Sequence, residues 1–210
     1  MNLLHPLAIQ THANGKAATA VLPSLETMEA KIQAAQMLLK QDRQSGLNQL
    51  NDLFRAGTPP DPPLDGRYAG GLVALEIAPG LTQIVKTIVS AWLPWQGKTF
   101  NAAQATGDNI FTRDSLALAH IYWPLYRGYQ ADGPHTYRAF AFRTYLAPGL
   151  ADHDRKVLKI DYNLPCNPGL TIRRVLDELV QVADGFYLGK AHLKWWWGKW
   201  QVVAYFSLRV

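Results

Sequence analysis

Glu178 is the residue whose predicted surroundings point most directly to chemistry. The pairs Asp184-Gly185 and Gly198-Lys199 favour two-residue hairpin turns, which together set a register for the last three strands. In that register Glu178 faces Ala191 on a strand face that is otherwise apolar. A carboxylate there must take up a proton or find a partner, so Glu178 is a candidate ligand-binding group and a candidate general acid or base.

Arg174 is predicted to project from the same strand face as Glu178, four residues earlier in the chain. Each of the two side chains could hydrogen-bond a polar group of a ligand. A structural alternative stays open, in which Glu178 pairs with an interior arginine such as Arg138 or Arg143.

His192 and Asp177 are predicted to face each other on the outer side of the same strands, next to Tyr205. A carboxylate can orient an imidazole for acid–base chemistry, but an exposed ion pair between strands is the commoner arrangement. His120 and His153 lack metal-ligand spacing to any other histidine, cysteine or carboxylate. No metal site is therefore predicted.

The same register sorts the side chains of the last three strands into an inner and an outer face. The predicted inner face consists of Leu176, Glu178, Val180, Val182, Tyr187, Gly189, Ala191, Leu193, Trp195, Val202, Ala204, Phe206 and Leu208. The outer face is mostly polar. This alternation is typical of a meander whose concave side closes on a core or a cavity.

Four tryptophans, Trp195, Trp196, Trp197 and Trp200, stand close together near the C-terminus. The register directs Trp196 outwards and the other three inwards. A membrane anchor would need all of them at one exposed edge. The register therefore argues against an anchor and favours closure of one end of a barrel.

Small residues on the predicted inner face leave space that larger side chains would fill, namely Gly70, Gly189, Ala191 and Ala204. The predicted ligand-binding residues are Tyr68, Arg174, Glu178, Tyr187, Trp195 and Phe206. Aromatic walls with one or two polar groups suit a small apolar ligand. Close packing against a neighbouring helix is the alternative use of the same space.

The chain divides into an irregular arm over 1–22, a helical segment over 24–57, a proline-rich connector over 58–63 and an antiparallel β-barrel domain over 64–210. Periodic apolar residues predict a further helix over 79–93, which would close one end of the barrel.

Local signals mark the ends of the first helical segment. Ser24 is predicted to cap it, Gly57 to end it and Gly46 to bend or break it. The stretches 115–126 and 172–176 fit a helix as well as a strand.

The composition excludes several classes of protein. The charge of +5 is scattered over 210 residues without a basic run, which argues against nucleic-acid binding, and Cys166 is the single cysteine, so no internal disulfide forms. No apolar run is long enough for a membrane span, and the N-terminus lacks a secretory pattern, which predicts a cytoplasmic protein. Cofactors are not indicated, and a homodimer stays open.

The stretch LDGRYAGG contains Gly66-x-Tyr68-x-Gly70, which resembles the Gly-x-Trp-x-Gly signature of calycin-type barrels. That group includes lipocalins, fatty-acid-binding proteins and nitrobindin-like haem proteins, and the closing strands of this chain are similar in layout. The resemblance implies an α+β protein built on an antiparallel calycin-like barrel that carries an apolar small molecule. Haem is not expected, because it needs an inward histidine and the register turns His192 outwards.

Three functions follow as expectations. The first is the binding or transport of a small hydrophobic ligand, such as a lipid, an isoprenoid or a pigment, inside the barrel. The second is an enzyme that acts on an apolar molecule in the same cavity with Glu178 as general acid or base. The third is a scaffold or interaction protein whose barrel is filled by its own side chains.

Overall fold

The computed structural model of the protein describes residues 22–76 and 94–210. The predicted helix over 79–93 lies outside the described residues, as does the predicted irregular arm apart from its last residue. Within the described part of the chain, no helix combines the length and the apolar character needed to cross a bilayer.

Two helices precede the sheet. Helix α1 spans Leu25–Gln41 and α2 spans Arg43–Ala56. Ser24 caps α1 and Gly57 ends α2, as predicted, but the break falls at Asp42, whose carboxylate accepts hydrogen bonds from the first backbone N–H groups of α2. Gly46 lies inside α2, where a Cβ would come within 2.6 Å of the Leu39 backbone, so this glycine allows the two helices to pack closely.

Nine strands follow the helices. They are β1 Gly66–Leu75, β2 Trp95–Asn101, β3 Thr106–Thr112, β4 Gln130–Ala131, β5 Thr136–Pro148, β6 Lys156–Asp161, β7 Val175–Ala183, β8 Phe186–Lys194 and β9 Trp200–Arg209. Neighbouring strands run antiparallel in the order β3-β2-β1-β9-β8-β7-β6-β5, and pairing of β3 with β5 closes the sheet. Strand β4 is a short addition to β5. The fold is therefore a closed eight-stranded antiparallel barrel with N-terminal helices, which confirms the predicted α+β class.

Because the barrel strands alternate in direction, their connections fall at two ends. The end of β1, the start of β2 and the connections 113–135, 162–174 and 195–199 share one end, here called the loop end. The turns at 102–105, 149–155 and 184–185 share the other.

Two stretches that fitted either helix or strand are now assigned. Residues Arg113–Ser115 form a 3-10 turn that runs into helix α3, Leu116–Tyr122. A second 3-10 turn, Ile172–Arg174, leads directly into β7. Both lie in connections at the loop end.

The barrel wall has a hydrophobic cluster on each side. The inner cluster fills the barrel and is rich in aromatic rings, among them Tyr68, Phe142 and Phe206. In the outer cluster, side chains of α1 and α2 such as Leu50 and Phe54 cover the outer face of β7 and β8. Strands β7 and β8 are therefore buried on both faces.

The predicted register of the last three strands is wrong by one residue in β7. The Asp184-Gly185 turn forms as predicted, with Ala183 opposite Phe186, but Val182 is an extra residue that shifts the pairing beyond it. Val175, Asp177, Leu179 and Gln181 pair with the inner-face residues of β8, and the predicted inner set of β7 points outwards. The predicted placement of Leu176, Glu178 and Val180 inside the barrel is thus corrected.

The predicted second turn is also wrong, since residues 195–199 form a five-residue connection between β8 and β9. The strand pairing shifts by two residues along most of this ladder, with Ala191 opposite Ala204 and Gly189 opposite Phe206. A shift by two keeps each side chain on its face. The inward placement of Tyr187 and Phe206 is therefore correct. The pairing shifts once more after Ala191, so Val202 lies opposite His192 and packs on the outer cluster, and its predicted inward placement is wrong.

Candidate functional site

A cluster of four polar side chains lies inside the barrel. Lys98 on β2 and Asn109 on β3 are direct cross-strand partners. Asp177 comes from β7, and Tyr162 follows the last residue of β6. All four are buried, with exposed fractions of 8% or less.

The ammonium group of Lys98 is the centre of this cluster. Its Nζ donates to Asn109 Oδ1 at 2.8 Å, to Asp177 Oδ2 at 3.0 Å and to the hydroxyl of Tyr162. These three acceptors match the three protons of a charged ammonium. Burial lowers the pKa of Lys98 below its usual value, and the attraction and hydrogen bond of Asp177 offset part of that shift.

Aromatic rings complete the surroundings of Lys98. Its Nζ lies 5.1–5.4 Å from the ring centres of Trp95, Phe142, Tyr162 and Phe206. Ring faces attract a cation, so they offset part of the hydration energy that Lys98 loses on burial. Three hydrogen bonds and the surrounding rings therefore hold the side chain of Lys98 in one position.

Asp177 has one carboxylate oxygen in use and one free. Oδ2 accepts from Lys98 and, at 3.1 Å, from the hydroxyl of Tyr162. Oδ1 is buried and has no hydrogen-bond partner among the residues that the structure describes. Buried polar atoms normally have a partner, so this oxygen is an open acceptor position.

The Tyr162 hydroxyl keeps its proton and acts as a hydrogen-bond donor in this cluster. Burial and the charge of Asp177 raise the pKa of Tyr162 well above its usual value. The hydroxyl therefore stays protonated at neutral pH and can donate to Asp177 while it accepts from Lys98.

The four polar residues lie on one side of a cavity of about 60 Å³. Its other walls are apolar and include Trp95, Phe111, Phe140, Val175 and Phe206. Trp95 and Val175 are the first residues of β2 and β7, which places the cavity toward the loop end. Since one water molecule needs about 10–15 Å³ of such space, the cavity has room for about four to six water molecules, whereas a cavity that binds benzene measures about 150 Å³.

The wall of the cavity contains a strained residue. Phe140 lies in β5 with a φ angle of +57°, a left-handed conformation that is rare for a bulky side chain. It sits at a bulge, since Asn109 pairs with Ala139 and Gly107 with Phe142. Its N–H donates to the Tyr126 hydroxyl at 2.6 Å, and its carbonyl accepts from Asn109 Nδ2 at 3.1 Å. The polar cluster thus helps to hold this bulge in place.

The structure brings only part of the predicted site together. Tyr68, Tyr187 and Phe206 are buried inside the barrel, and Phe206 lines the cavity. Tyr68 packs edge-on against Tyr187 at a ring-centre distance of 5.6 Å, within the filled part of the interior. Phe206 is therefore the predicted site residue that the cavity lining includes.

The glycines of the inner face make room for aromatic rings. A Cβ at Gly70 would overlap the ring of Trp95, and one at Gly189 would overlap the ring of Phe206. The space that these glycines leave is therefore filled by the protein itself. This corrects the simple expectation that it stays open for a ligand.

Glu178 lies on the opposite side of the barrel wall from the cavity. It is fully buried, forms an ion pair with Lys159 and accepts a hydrogen bond from the Leu150 N–H at 2.6 Å. The shift at Val182 produces this placement. The predicted apolar interior around Glu178 is thus wrong, and its partner is a lysine instead of Arg138 or Arg143.

The predicted pair of His192 and Asp177 does not form. Asp177 points inwards to Lys98, whereas His192 lies on the outer face, 3.9 Å from Glu178 and buried. Arg174 is placed in the 3-10 turn before β7, where its Nε donates to the Lys194 carbonyl at 2.7 Å. Neither residue reaches the cavity lining.

The tryptophans separate differently from the prediction. Trp195 is buried and stacks on Trp197, and its Nε1 donates to Gln201 at 3.0 Å. Trp196, Trp197 and Trp200 are exposed at the loop end. The inward placement of Trp197 and Trp200 is therefore wrong, because the connection is longer than a two-residue turn.

Sequence reasoning missed Lys98, Asn109, Tyr162 and the inward position of Asp177. One usable signal was the alternation in β2, where Lys98 occupies the same strand face as Phe100. A lysine in phase with a core aromatic indicates a buried cation that needs a carboxylate.

The comparisons with known proteins add little to this geometry. No family model matches the chain, and no curated protein matches it. A crystal structure of a protein from Thermomonospora curvata resembles it with a TM-score of 0.46 and 15% sequence identity, over 84% of this chain and 97% of that chain. This likeness carries no argument about function.

Proposed function

We propose that the protein binds a small, neutral, apolar molecule with one hydrogen-bond donor, inside the barrel beside Asp177. The observation that carries the proposal is Asp177 Oδ1, which is buried beside a cavity with aromatic walls and lacks a partner within residues 22–76 and 94–210. An O–H or N–H group of a ligand would satisfy this oxygen, and its apolar part would lie among the rings.

The electrostatics favour a neutral donor over a charged ligand. The three protons of Lys98 are already accepted by Asn109, Tyr162 and Asp177, so none remains for a ligand carboxylate. An anion would also meet the charge of Asp177, and a cation would meet Lys98. Alcohols, phenols and neutral N–H compounds are therefore the preferred class.

The size of the cavity limits what is enclosed. A space of about 60 Å³ encloses a polar end group of a few atoms, since a cavity that binds a whole benzene ring measures about 150 Å³. For a lipid, an isoprenoid or a pigment, this group would be the polar end, and the remaining atoms would extend toward the loop end. A carrier role of this kind agrees with the calycin-like motif Gly66-x-Tyr68-x-Gly70.

The alternative of an enzyme with Glu178 as acid or base has lost its geometric basis, because Glu178 is outside the interior and held by Lys159. The scaffold alternative, with a filled barrel, is an outcome of the test below.

Phenol and toluene test the proposal directly, because they have nearly the same size and differ in one donor group. We expect phenol to bind the purified protein about tenfold more tightly than toluene, since a hydrogen bond to a charged acceptor contributes about 1.5–3 kcal/mol. Calorimetric titration of each compound measures the difference. Equal affinity would contradict the role of Asp177.

Two variants assign the effect to the cluster. Asp177→Asn removes the charge of the acceptor and should reduce the preference for phenol. The double variant Lys98→Met/Asp177→Leu removes both charges, so it avoids an unpaired buried ion and should fold. We expect it to keep toluene binding and to lose the phenol preference.

Native mass spectrometry of the protein from its own host completes the test. A co-purifying neutral donor molecule would agree with the proposal. Absence of such a molecule, together with no binding of phenol or toluene, would favour the scaffold alternative.

A further inference from the structure

Large apolar side chains are exposed at the loop end, on three connections and on the first residue of β9. We call this set the apolar collar; it consists of Leu118, Ile121, Tyr122, Leu125, Leu170, Trp196, Trp197 and Trp200. Leu125 and Leu170 are 86% and 89% exposed, so they project almost fully from the surface. Exposed apolar side chains gathered at one end of a fold are typical of an interaction site.

Direct contacts join the three connections into one rim. Trp123 Nε1 donates to Thr171 Oγ1 at 2.9 Å, which links the connection 113–135 to the connection 162–174. Arg174 then contacts the connection between β8 and β9, with its guanidinium 5.7 Å from the ring centre of Trp196.

The charge of this rim is mostly positive. The connections 113–135, 162–174 and 195–199 contain five basic residues and two acidic residues. One of the acidic residues, Asp132, is neutralised by an ion pair with Arg67. Lys194, the last residue of β8, adds a cation 5.6 Å from the ring centre of Trp200.

We propose that the apolar collar docks on the surface of an anionic lipid bilayer. Tryptophan and tyrosine rings prefer the headgroup region, and nearby Lys and Arg side chains are attracted to anionic lipids. Side chains that project from separate loops can enter a fluid layer without the close shape complementarity of a protein interface. The inference goes beyond ligand binding in the cavity and does not depend on it.

Co-sedimentation with vesicles tests this inference on the full chain. One vesicle type is phosphatidylcholine alone, and the other contains equal amounts of phosphatidylcholine and phosphatidylglycerol. We expect binding to the anionic vesicles, weakening as salt rises because surface charges are screened. Tryptophan emission should shift to shorter wavelength when those vesicles are added.

A tryptophan variant within the collar, a lysine variant beside it and one control variant locate the contact. Trp196→Ala/Trp197→Ala should lose most of the emission shift and of the binding. Lys194→Gln/Lys199→Gln should weaken binding about 30-fold, since each basic residue near the surface contributes about 1 kcal/mol. Tyr145→Ala is the control, because Tyr145 is also exposed beside a cation, Arg143, but lies outside the collar, and it should bind like the unchanged protein.

Three results would overturn the inference. They are absence of binding to anionic vesicles at low salt, equal binding to the two vesicle types, and unchanged binding by both the tryptophan variant and the lysine variant. Self-association in sedimentation velocity that the tryptophan variant abolishes would assign the collar to a contact between copies of the chain.

Discussion

Three lysines, Lys98, Lys159 and Lys190, are buried in or on the barrel wall, and each has a carboxylate partner. Lys98 pairs with Asp177 inside the barrel, whereas Lys159 pairs with Glu178 and Lys190 with Asp152 on the outer face. Removal of one partner from a buried pair leaves an uncompensated charge, which costs about 3–5 kcal/mol. These pairs therefore fix the positions of strands. Among the described residues, Asp177 Oδ1 and Glu178 Oε2 both lack a hydrogen-bond partner, and the Lys98–Asp177 pair is the one beside the cavity.

Glu178→Gln tests the structural role of the outer pair. We expect the free energy of unfolding to fall by about 3 kcal/mol, because Lys159 keeps its charge and loses its counter-ion. Urea denaturation measures the change. The matched control is Glu29→Gln, since Glu29 forms an exposed 3.8 Å pair with Arg209 and should change stability by less than about 1 kcal/mol.

The same variant separates the two sides of the barrel wall. Phenol affinity should be unaffected in Glu178→Gln, because the carboxylate is outside the interior. A loss of phenol binding at unchanged stability would restore Glu178 as a ligand-binding residue and contradict the corrected register.

In strands β8 and β9, a glycine makes room for an aromatic ring on the neighbouring strand. Gly189 pairs with Phe206, and the ring of Phe206 occupies the place where a side chain of residue 189 would lie. The same arrangement recurs at Gly107, where the ring of Phe142 fills the corresponding place. Glycine in these strands therefore allows large rings to fill a small barrel, at the cost of backbone entropy in the unfolded chain.

Gly189→Ala tests this use of glycine. We expect it to lower the free energy of unfolding by about 1–3 kcal/mol, because an added methyl group overpacks a closed interior. Gly71→Ala is the control in β1, where a Cβ would lie 3.2 Å from the Ser207 hydroxyl and nothing closer. Thermal unfolding of both variants gives the comparison, and an equally small effect at the two positions would count against the proposed packing.

At the scale of the whole molecule, the N-terminal helices cover part of the outer barrel wall and bury its side chains. Lys190 donates to Asn51 of α2 at 2.6 Å and to Asp152 at 2.7 Å, and Arg55 of α2 forms an ion pair with the same Asp152. His192 is buried in this layer, and neither of its ring nitrogens has a hydrogen-bond partner in the described part of the chain. The attachment of the helices therefore depends on charged groups whose protonation changes with pH.

His192 predicts a loss of stability in mild acid. Burial lowers the pKa of His192 below 6.5, and Lys190 and Lys159 lower it further, while Glu178 and Asp177 oppose the shift. Below pH 6.5 the unfolded chain binds a proton that the folded chain does not, so stability falls by up to about 1.4 kcal/mol per pH unit until the folded pKa is reached.

Urea unfolding as a function of pH measures this effect. His192→Phe should lack the decline that begins below pH 6.5, and the exposed His153→Gln should keep it. A further decline at lower pH should appear in all three proteins. Burial raises the pKa of Asp152, but hydrogen bonds from Lys190 and Arg55 outweigh it and hold the pKa below 3.8, so this contribution is lost as the carboxylate protonates. An identical pH profile for His192→Phe and the unchanged protein would contradict the first assignment.

The sequence by itself determined the features that depend on neighbouring residues. The cap at Ser24, the end of α2 at Gly57, the Asp184-Gly185 turn and the inner faces of β8 and β9, except at Val202, follow from short-range rules of hydrogen bonding and alternation. The antiparallel barrel class follows from the same patterns.

Only the tertiary structure decided which face of β7 is inside and which polar residues meet there. Because α2 covers the outer wall, β7 is buried on both faces and each face mixes apolar with polar residues, so alternation cannot detect a one-residue shift such as that at Val182. Lys98 and Asp177 are far apart in sequence and become partners through closure of the barrel. The site depends on that closure, since a buried charge is stable only where the fold brings its partner to it.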